Sequence, residues 1–377
     1  MGIYLFIYLW VASLTFVYFE LTEKYRKQLK IAFYLLIIFL IFVTILRREV
    51  GTDYETYLRI YENSPTLSQF FRKPFNGVIE PGYSFLNVIA KISSLGFPFV
   101  SFVCICLILY NYHAASRHFN LNFYLVFLTY VGLYFFSHNF NVIRHGVATS
   151  FIWHSFSLLV NKNNKKNSIA LLVISSFFHY MSLLFIPFLW IMNKKISYKI
   201  IIGTLVFSIF LILTKLDLVT KVLDYLFYWS PKYQFYKSVY YINVGAEGNY
   251  GIAMGVIFNL LLIFSLIIVK ARENTSKSSS DVNKIIFNGF YFSLLFLLLL
   301  SFNGVFAERI GGVFYVSLIF LLPLIFKMYF DERKVRFLFS MIFVLYIGMY
   351  YFKGISVKEA DGEYQYLPYK SVINLNG

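Results

Sequence analysis

Long apolar runs, each closed by a cluster of basic or polar residues, recur along the whole chain. Runs near 3–19, 31–46, 97–112, 121–137, 142–160, 200–214, 251–269, 285–302, 311–326 and 337–352 read as membrane-crossing helices, because about 20 residues rising 1.5 Å each cross about 30 Å of hydrocarbon. The expected fold class is all-α: a polytopic integral membrane protein of about 10–12 transmembrane helices. The opening MGIYLFIYLW has neither a basic region nor a small-residue cleavage site, so it is expected to stay as a first span. One helical membrane domain is expected over 1–352, with outer segments near 47–96 and 215–250. A polar C-terminal tail, expected to be exposed, follows over 353–377.

Lysine-rich stretches set the orientation. Lys24 to Lys30, KNNKK at 162–166, KARENTSKSSSDVNK at 270–284 and Lys327 to Arg336 read as cytoplasmic by the positive-inside rule. The first five spans then alternate correctly, and 47–96 lies outside. Counting back from 270–284 puts Lys194, Lys195 and Lys199 inside, so 168–192 must enter and leave on one side. Two half-helices bending near His179 satisfy this, since about 11 residues per arm rise only roughly 16 Å. Such a re-entrant hairpin requires surrounding protein or a wet cavity. The alternative is a full span at 168–192 with a further membrane helix at 82–95 or 218–230.

Composition sharpens this picture. With 59% hydrophobic residues and a mean hydropathy of +0.66, the chain holds more apolar surface than one soluble core buries. A net charge of +16 would suggest nucleic acid, but most of it falls in the cytoplasmic loops. Arginine is distributed differently: Arg47, Arg48, Arg59, Arg72, Arg144 and Arg309 all fall outside. Arginine grips planar phosphate oxygens better than lysine does, so the outer face is suited to an anion. Cys104 and Cys106 share one apolar run and are expected to pack as small hydrophobes. DxD, HExxH and P-loop patterns are absent, so neither metal-dependent sugar-nucleotide transfer nor ATP hydrolysis is supported, and no metal or cofactor is expected.

The candidate chemistry sits at helix ends facing that outer side, where ionisable residues beside hydrocarbon are costly and therefore suspect. In RREVGTDYETYLRIYENS, Thr52 and Glu55 are spaced as a capping box, predicting a helix from Asp53 with Tyr54, Tyr57 and Tyr61 on one face. An interfacial amphipathic helix is the plainer reading; the functional one places the Asp53 carboxylate near Arg47 and Arg48. In EPGYSFLNVIAKISSLGF, Pro81 suits a first helical turn, and Glu80 serves either the helix dipole or a site. In SHNFNVIRHGVATSFIWHSFSLL, Arg144 lies about one turn inside a span, either snorkelling or facing a polar cavity. His145 should point about 100° away from it, and His154 should be a hydrogen-bonded core histidine. His179, in SSFFHYMSLLFIP, needs a partner wherever it is buried. Glu308 and Arg309 stand together in FNGVFAERIGGVFYV, and the aromatic band at 225–241 reads as an interfacial belt or a sugar-stacking platform.

Taken in order, R-x-x-V-G-T-D-Y-x-x-Y, E-P-G-Y, N-V-I-R-H-G-V-A, S-F-F-H-Y-M-S and E-R-I resemble the EpsG family of polysaccharide-synthesis membrane proteins, related in role to Wzy polymerases of O-antigen and capsule. The resemblance runs from about Arg47 to Pro323. It implies a GT-C-like membrane glycosyltransferase that polymerises undecaprenyl-diphosphate-linked repeat units on the outer face of the bacterial cytoplasmic membrane, without a metal. Partners so implied are the lipid-linked donor and acceptor, the bilayer, a chain-length regulator and a flippase. Carried over by similarity are Arg48, Asp53, Glu80, Arg144, His179 and Arg309. His145 departs from the family pattern, where glutamine is expected. On this reading Asp53, Glu80 and His179 are catalytic candidates, and Arg47, Arg48, Arg144, Glu308 and Arg309 bind substrate. A flippase for the same lipid-linked sugar and a membrane acyltransferase are the rival readings.

Overall fold

The computed structural model describes residues 1–20, 23–73, 79–161, 164–214, 216–229, 234, 281–301, 306–329, 333–358 and 364–372. Among these residues the chain is helical, with no strand and only two isolated bridges. The expected span at 251–269, most of the 225–241 aromatic band and most of the 270–284 linker lie outside the described residues. Four described segments are long and apolar enough to cross a membrane: Gln28–Leu46, Gly96–His118, Asp281–Leu299 and Ala307–Lys327. Shorter apolar helices, among them Phe123–Leu133 and Tyr198–Leu213, accompany them. The chain is an all-α polytopic membrane protein.

Two compact units divide it. The first, Met1–Leu189 with Leu322–Gly377, contains α1 (Gly2–Glu20), α2 (Glu23–Leu46), α3 (Tyr54–Glu62), α4 (Leu67–Arg72), α5 (Pro81–Ile92), α6 (Gly96–His118), α7 (Phe123–Leu133), α8 (Ile143–Leu158) and α9 (Lys165–Ser176). Its core forms where α6, α8 and α9 pack together and where α1 meets α7 and the long helix Arg333–Ile355. His154 is buried in that core, Nδ1 2.9 Å from Asn111 Oδ1. The second unit, Trp190–Leu321, contains α10 (Tyr198–Leu213), α11 (Leu218–Phe227) and α12 (Asp281–Leu299). There Asn288 Nδ2 donates to the carbonyls of Met192 and Lys194, 2.8 Å each, and fixes the chain entering α10.

Helix boundaries follow local chemistry, with one correction. Asp53 caps α3 through its backbone position but makes no side-chain cap bond, so the box expected from Thr52 and Glu55 does not form. The reciprocal box lies one helix later: Thr66 N–H donates to Gln69 Oε1 at 2.9 Å, and Gln69 N–H to Thr66 Oγ1 at 3.3 Å. Thr66 is extended and free to accept, whereas the Gly51 turn before α3 is already held by another segment. Lys91 ends α5 by donating from Nζ to the carbonyl of Glu62 at 2.8 Å, tying α5 to the C-terminus of α3.

The stretch 168–192 breaks at the expected place. Helix α9 stops at Ser176, His179 is extended (φ −156°, ψ 113°), and tight 3-10 turns follow at Tyr180–Phe185 and Pro187–Trp190. The 12 residues of α9 rise roughly 18 Å, about half a bilayer. Short helices also form at Pro81–Ile92 and Leu218–Phe227, where the alternative placed further spans.

Most described tail residues are exposed or half-buried, and Tyr366 anchors the segment. Tyr366 is buried, its hydroxyl 2.7 Å from Asn141 Nδ2, while Tyr4 donates to the Tyr366 carbonyl at 2.6 Å. Gly51 N–H reaches the Gln365 carbonyl at 2.9 Å, and Arg48 N–H the Lys370 carbonyl at 3.0 Å. Polar composition suggested solvent, yet each tyrosine offers a ring to bury and a hydroxyl to satisfy.

Candidate functional site

Arg144 breaks a local electrostatic rule. It occupies the first turn of α8, where the helix dipole disfavours a cation. A wide π turn, Ser137–Asn141, and the irregular Val142 (φ −86°, ψ 56°) precede it and place its side chain over the end of α5. There Glu80, N-cap of α5, supplies the compensating charge: Arg144 Nη1 donates to Glu80 Oε2. The Glu80 side chain is only 7% exposed, against 26% for Arg144. A carboxylate that buried requires partners for both oxygens.

His179 supplies the second. Its Nδ1 lies 3.1 Å from Glu80 Oε1, so in the neutral imidazole Nδ1 carries the hydrogen and Nε2 the lone pair. Nε2 is covered and carries no hydrogen bond. One carboxylate thus joins a guanidinium and an imidazole brought from positions 64 and 99 residues away.

Backbone contacts hold the three in place. The N–H of Gly82 donates to the Phe177 carbonyl at 2.8 Å, and that of Tyr83 to the same carbonyl at 3.3 Å, docking α5 onto the break. A Cβ on Gly82 would stand 2.8 Å from Phe177 Cβ and 2.9 Å from its carbonyl oxygen, so only glycine permits this approach. Ser175 Oγ donates to the Ala148 carbonyl at 2.9 Å, fastening α9 to α8 one turn past Arg144. Within E-P-G-Y, then, Glu80 is the charge, Pro81 the helix start, Gly82 the close approach and Tyr83 a buried wall.

Aromatic rings enclose the cluster. Arg144 lies 5.9 Å from the ring centres of both Tyr57 and Tyr83, which meet edge to face at 5.7 Å. Burial pushes both phenols up, keeping them neutral. For Glu80, burial pushes the carboxyl up, but the His179 hydrogen bond and the Arg144 charge outweigh it and hold it below its ordinary value. Glu80 is therefore an ionised, engaged carboxylate and a poor base.

Arg47 is placed differently. It is buried, with Nη1 donating to the carbonyls of Val50 at 2.8 Å and Phe140 at 2.7 Å, and it lies 4.7 Å over the Phe140 ring. Burial pushes its pKa down to about 10, which leaves it charged at neutral pH. It pins the loop before α3 to the π turn before α8. Its Nε and Nη2 carry no hydrogen bond.

The structure brings together Glu80, Arg144 and His179 of the candidates from sequence. Arg48 sits 3.5 Å from Glu49 at the surface, and half-buried Asp53 starts α3, electrostatically coupled to Tyr57 and Tyr366. Glu308 and Arg309 lie in the second unit, in a π turn over Ala307–Gly311. His145, the next residue along α8 after Arg144, has its ring 5.3 Å from that of His179. Tyr57, Tyr83 and Gly82 were not singled out as site residues from sequence. Their signal was present in the tyrosine stripe of α3 and inside the E-P-G-Y motif.

The fold and the buried ion cluster at its helix ends define an all-α polytopic membrane protein with a charged site. The chain belongs to the EpsG family, whose sequence model matches residues 30–371, a Wzy-like family of polysaccharide polymerases. No curated protein and no solved structure is similar enough to match it. Its general role is that of a membrane polysaccharide polymerase of the glycosyltransferase type.

Proposed function

We propose that this protein joins repeat units carried on undecaprenyl diphosphate into a surface polysaccharide, at the outer face of the bacterial cytoplasmic membrane and without a metal. The observation that carries the reading is the Glu80 carboxylate shared between Arg144 and His179. A sugar hydroxyl attacks the anomeric carbon of the donor, the new C–O bond forms as the bond to the diphosphate oxygen breaks, and the lipid diphosphate leaves as an anion. Leaving depends on stabilising that charge, which a preorganised guanidinium does best in a water-poor site. Arg144 has the capacity, since its Nε carries no hydrogen bond.

The hydroxyl proton needs an acceptor, and His179 Nε2 is better suited than the ionised Glu80, which holds the imidazole in the required tautomer. Asp53 is the second candidate, at the start of α3. For Arg47 the buried carbonyl contacts support a positioning role. For Arg48, and for Glu308 with Arg309, the resemblance alone supports a role in substrate binding.

Lipid-linked material from a deletion strain tests the reading. Single repeat units should accumulate on the carrier at the outer face, and chains should fail to lengthen when the deletion is complemented with Arg144→Ala at wild-type protein levels. Asp53→Asn should shorten chains less than Arg144→Ala does. Single repeats retained on the cytoplasmic face would point to a flippase and overturn the proposal.

A further inference from the structure

Beside the ion cluster, within the first unit, α3 and α5 enclose a pocket of about 460 Å³, in the range of small-molecule sites. Its walls include Thr56 and Arg59 from α3, its C-cap Asn63, and Ile79, Ser84 and Asn87 from the segment that carries Glu80. Ser84 and Asn87 are spaced i and i+3, so they share one face of α5, the helix whose N-terminus Glu80 caps. The pocket therefore lies along the helix that Glu80 caps.

Asn87 is fully buried; its Nδ2 donates to the Tyr83 carbonyl at 2.7 Å, while its Oδ1 has no hydrogen-bond partner. An amide oxygen left so is destabilising unless a ligand donates to it. Hydroxyl and amide groups of Thr56, Asn63 and Ser84 share the pocket with it, and among the described residues no acidic side chain lines it. Among the described lining residues the only cation is Arg59, which is exposed, so these walls are poorly equipped for a diphosphate and well equipped for hydroxyls.

We infer that this pocket is the acceptor subsite, binding the non-reducing-end sugar whose hydroxyl attacks the donor's anomeric carbon, with Asn87 Oδ1 accepting from another hydroxyl of that sugar and Thr56 and Asn63 forming the outer wall. The inference rests on the polymerase reading and adds to it the place of the acceptor. It separates the two substrates physically: diphosphate at Arg144, uncharged glycan along α5. Acceptor selectivity then belongs to α3 and α5 and not to the ion cluster.

The test uses full-length protein in nanodiscs, lipid-linked repeat units from the deletion strain as donor, and the same oligosaccharide freed from its lipid by mild acid as acceptor. Freed oligosaccharide has a non-reducing end but no leaving group, so it can only accept. Thr56→Trp fills the pocket from an exposed helix position and should raise KM for this acceptor about tenfold while lowering kcat much less, the pattern of lost ground-state binding. Asn87→Ala should act likewise, and saturation-transfer NMR should show freed oligosaccharide bound to wild type and to Arg144→Ala but not to Thr56→Trp. Unchanged acceptor KM in Thr56→Trp, or failure of wild type to bind or extend the freed oligosaccharide while still polymerising lipid-linked units, would overturn the subsite and leave the polymerase reading standing. Absence of any polymer from wild type would instead defeat the polymerase reading.

Discussion

Glu80 decides how the site responds to acid. Its carboxyl is held below the ordinary 4.5 by His179 and Arg144 against the opposing effect of burial, so its contribution to stability is complete above that value and is lost as pH falls through the lowered one. Thermal unfolding of the purified protein should therefore be insensitive to this group from neutral pH down to about 4.5 and fall below it. Glu80→Gln should remove that part of the acid loss, and an unchanged acid limb in the variant would contradict the pairing. Arg144→Ala leaves a buried carboxylate without its guanidinium, a change of about 3–5 kcal/mol in comparable buried pairs, so activity comparisons need matched amounts of folded protein. At this scale the charges were legible from sequence because each stands beside an apolar run where ionisation is costly. The meeting of His145 with His179 was not, because helix angle alone does not show which distant segment meets a helix face.

Among elements, the junction between α5 and the break after α9 sets the geometry. Gly82→Ala should push the Phe177 backbone away, costing about 1–3 kcal/mol by overpacking, and carry His179 off Glu80 with it. A displacement near 1 Å can cost about a hundredfold in rate, so polymer formation should fall by at least about tenfold although the protein still inserts and folds. Wild-type chain lengths in Gly82→Ala would sink this view of the junction. The break itself was foreseeable, since counting loop charges left 168–192 with nowhere to cross. The capping box was not, because Thr52 and Glu55 have the spacing whereas the turn at Gly51 (φ +94°) and its bond to Gln365 fix the chain otherwise. Short-range patterns state what a segment can do, and a distant strand of backbone decides whether it does.

For the molecule as a whole, the first unit draws its site from the middle of the chain and fastens it with the end. Tyr366 and Tyr369 pack their rings beside Tyr4 and Phe136, and the tail backbone holds the loop containing Arg48 and Gly51. Tyr366→Ala should cost about 3–5 kcal/mol, as for other large buried rings, and lower the unfolding temperature in detergent; no change would mean that the tail is dispensable. Nothing in the tail's polar composition foretold this docking, whereas the succession of apolar runs made the helical membrane fold plain. The central claim is that Arg144 stabilises the departing diphosphate. Its most direct measurement is polymer formation by purified protein in liposomes supplied with lipid-linked repeat units from a deletion strain. Wild type should yield a ladder of lengthening chains, and Arg144→Ala, folded and at equal amount, should leave single units with a rate at least about a hundredfold lower; a ladder from Arg144→Ala at the wild-type rate would contradict the account.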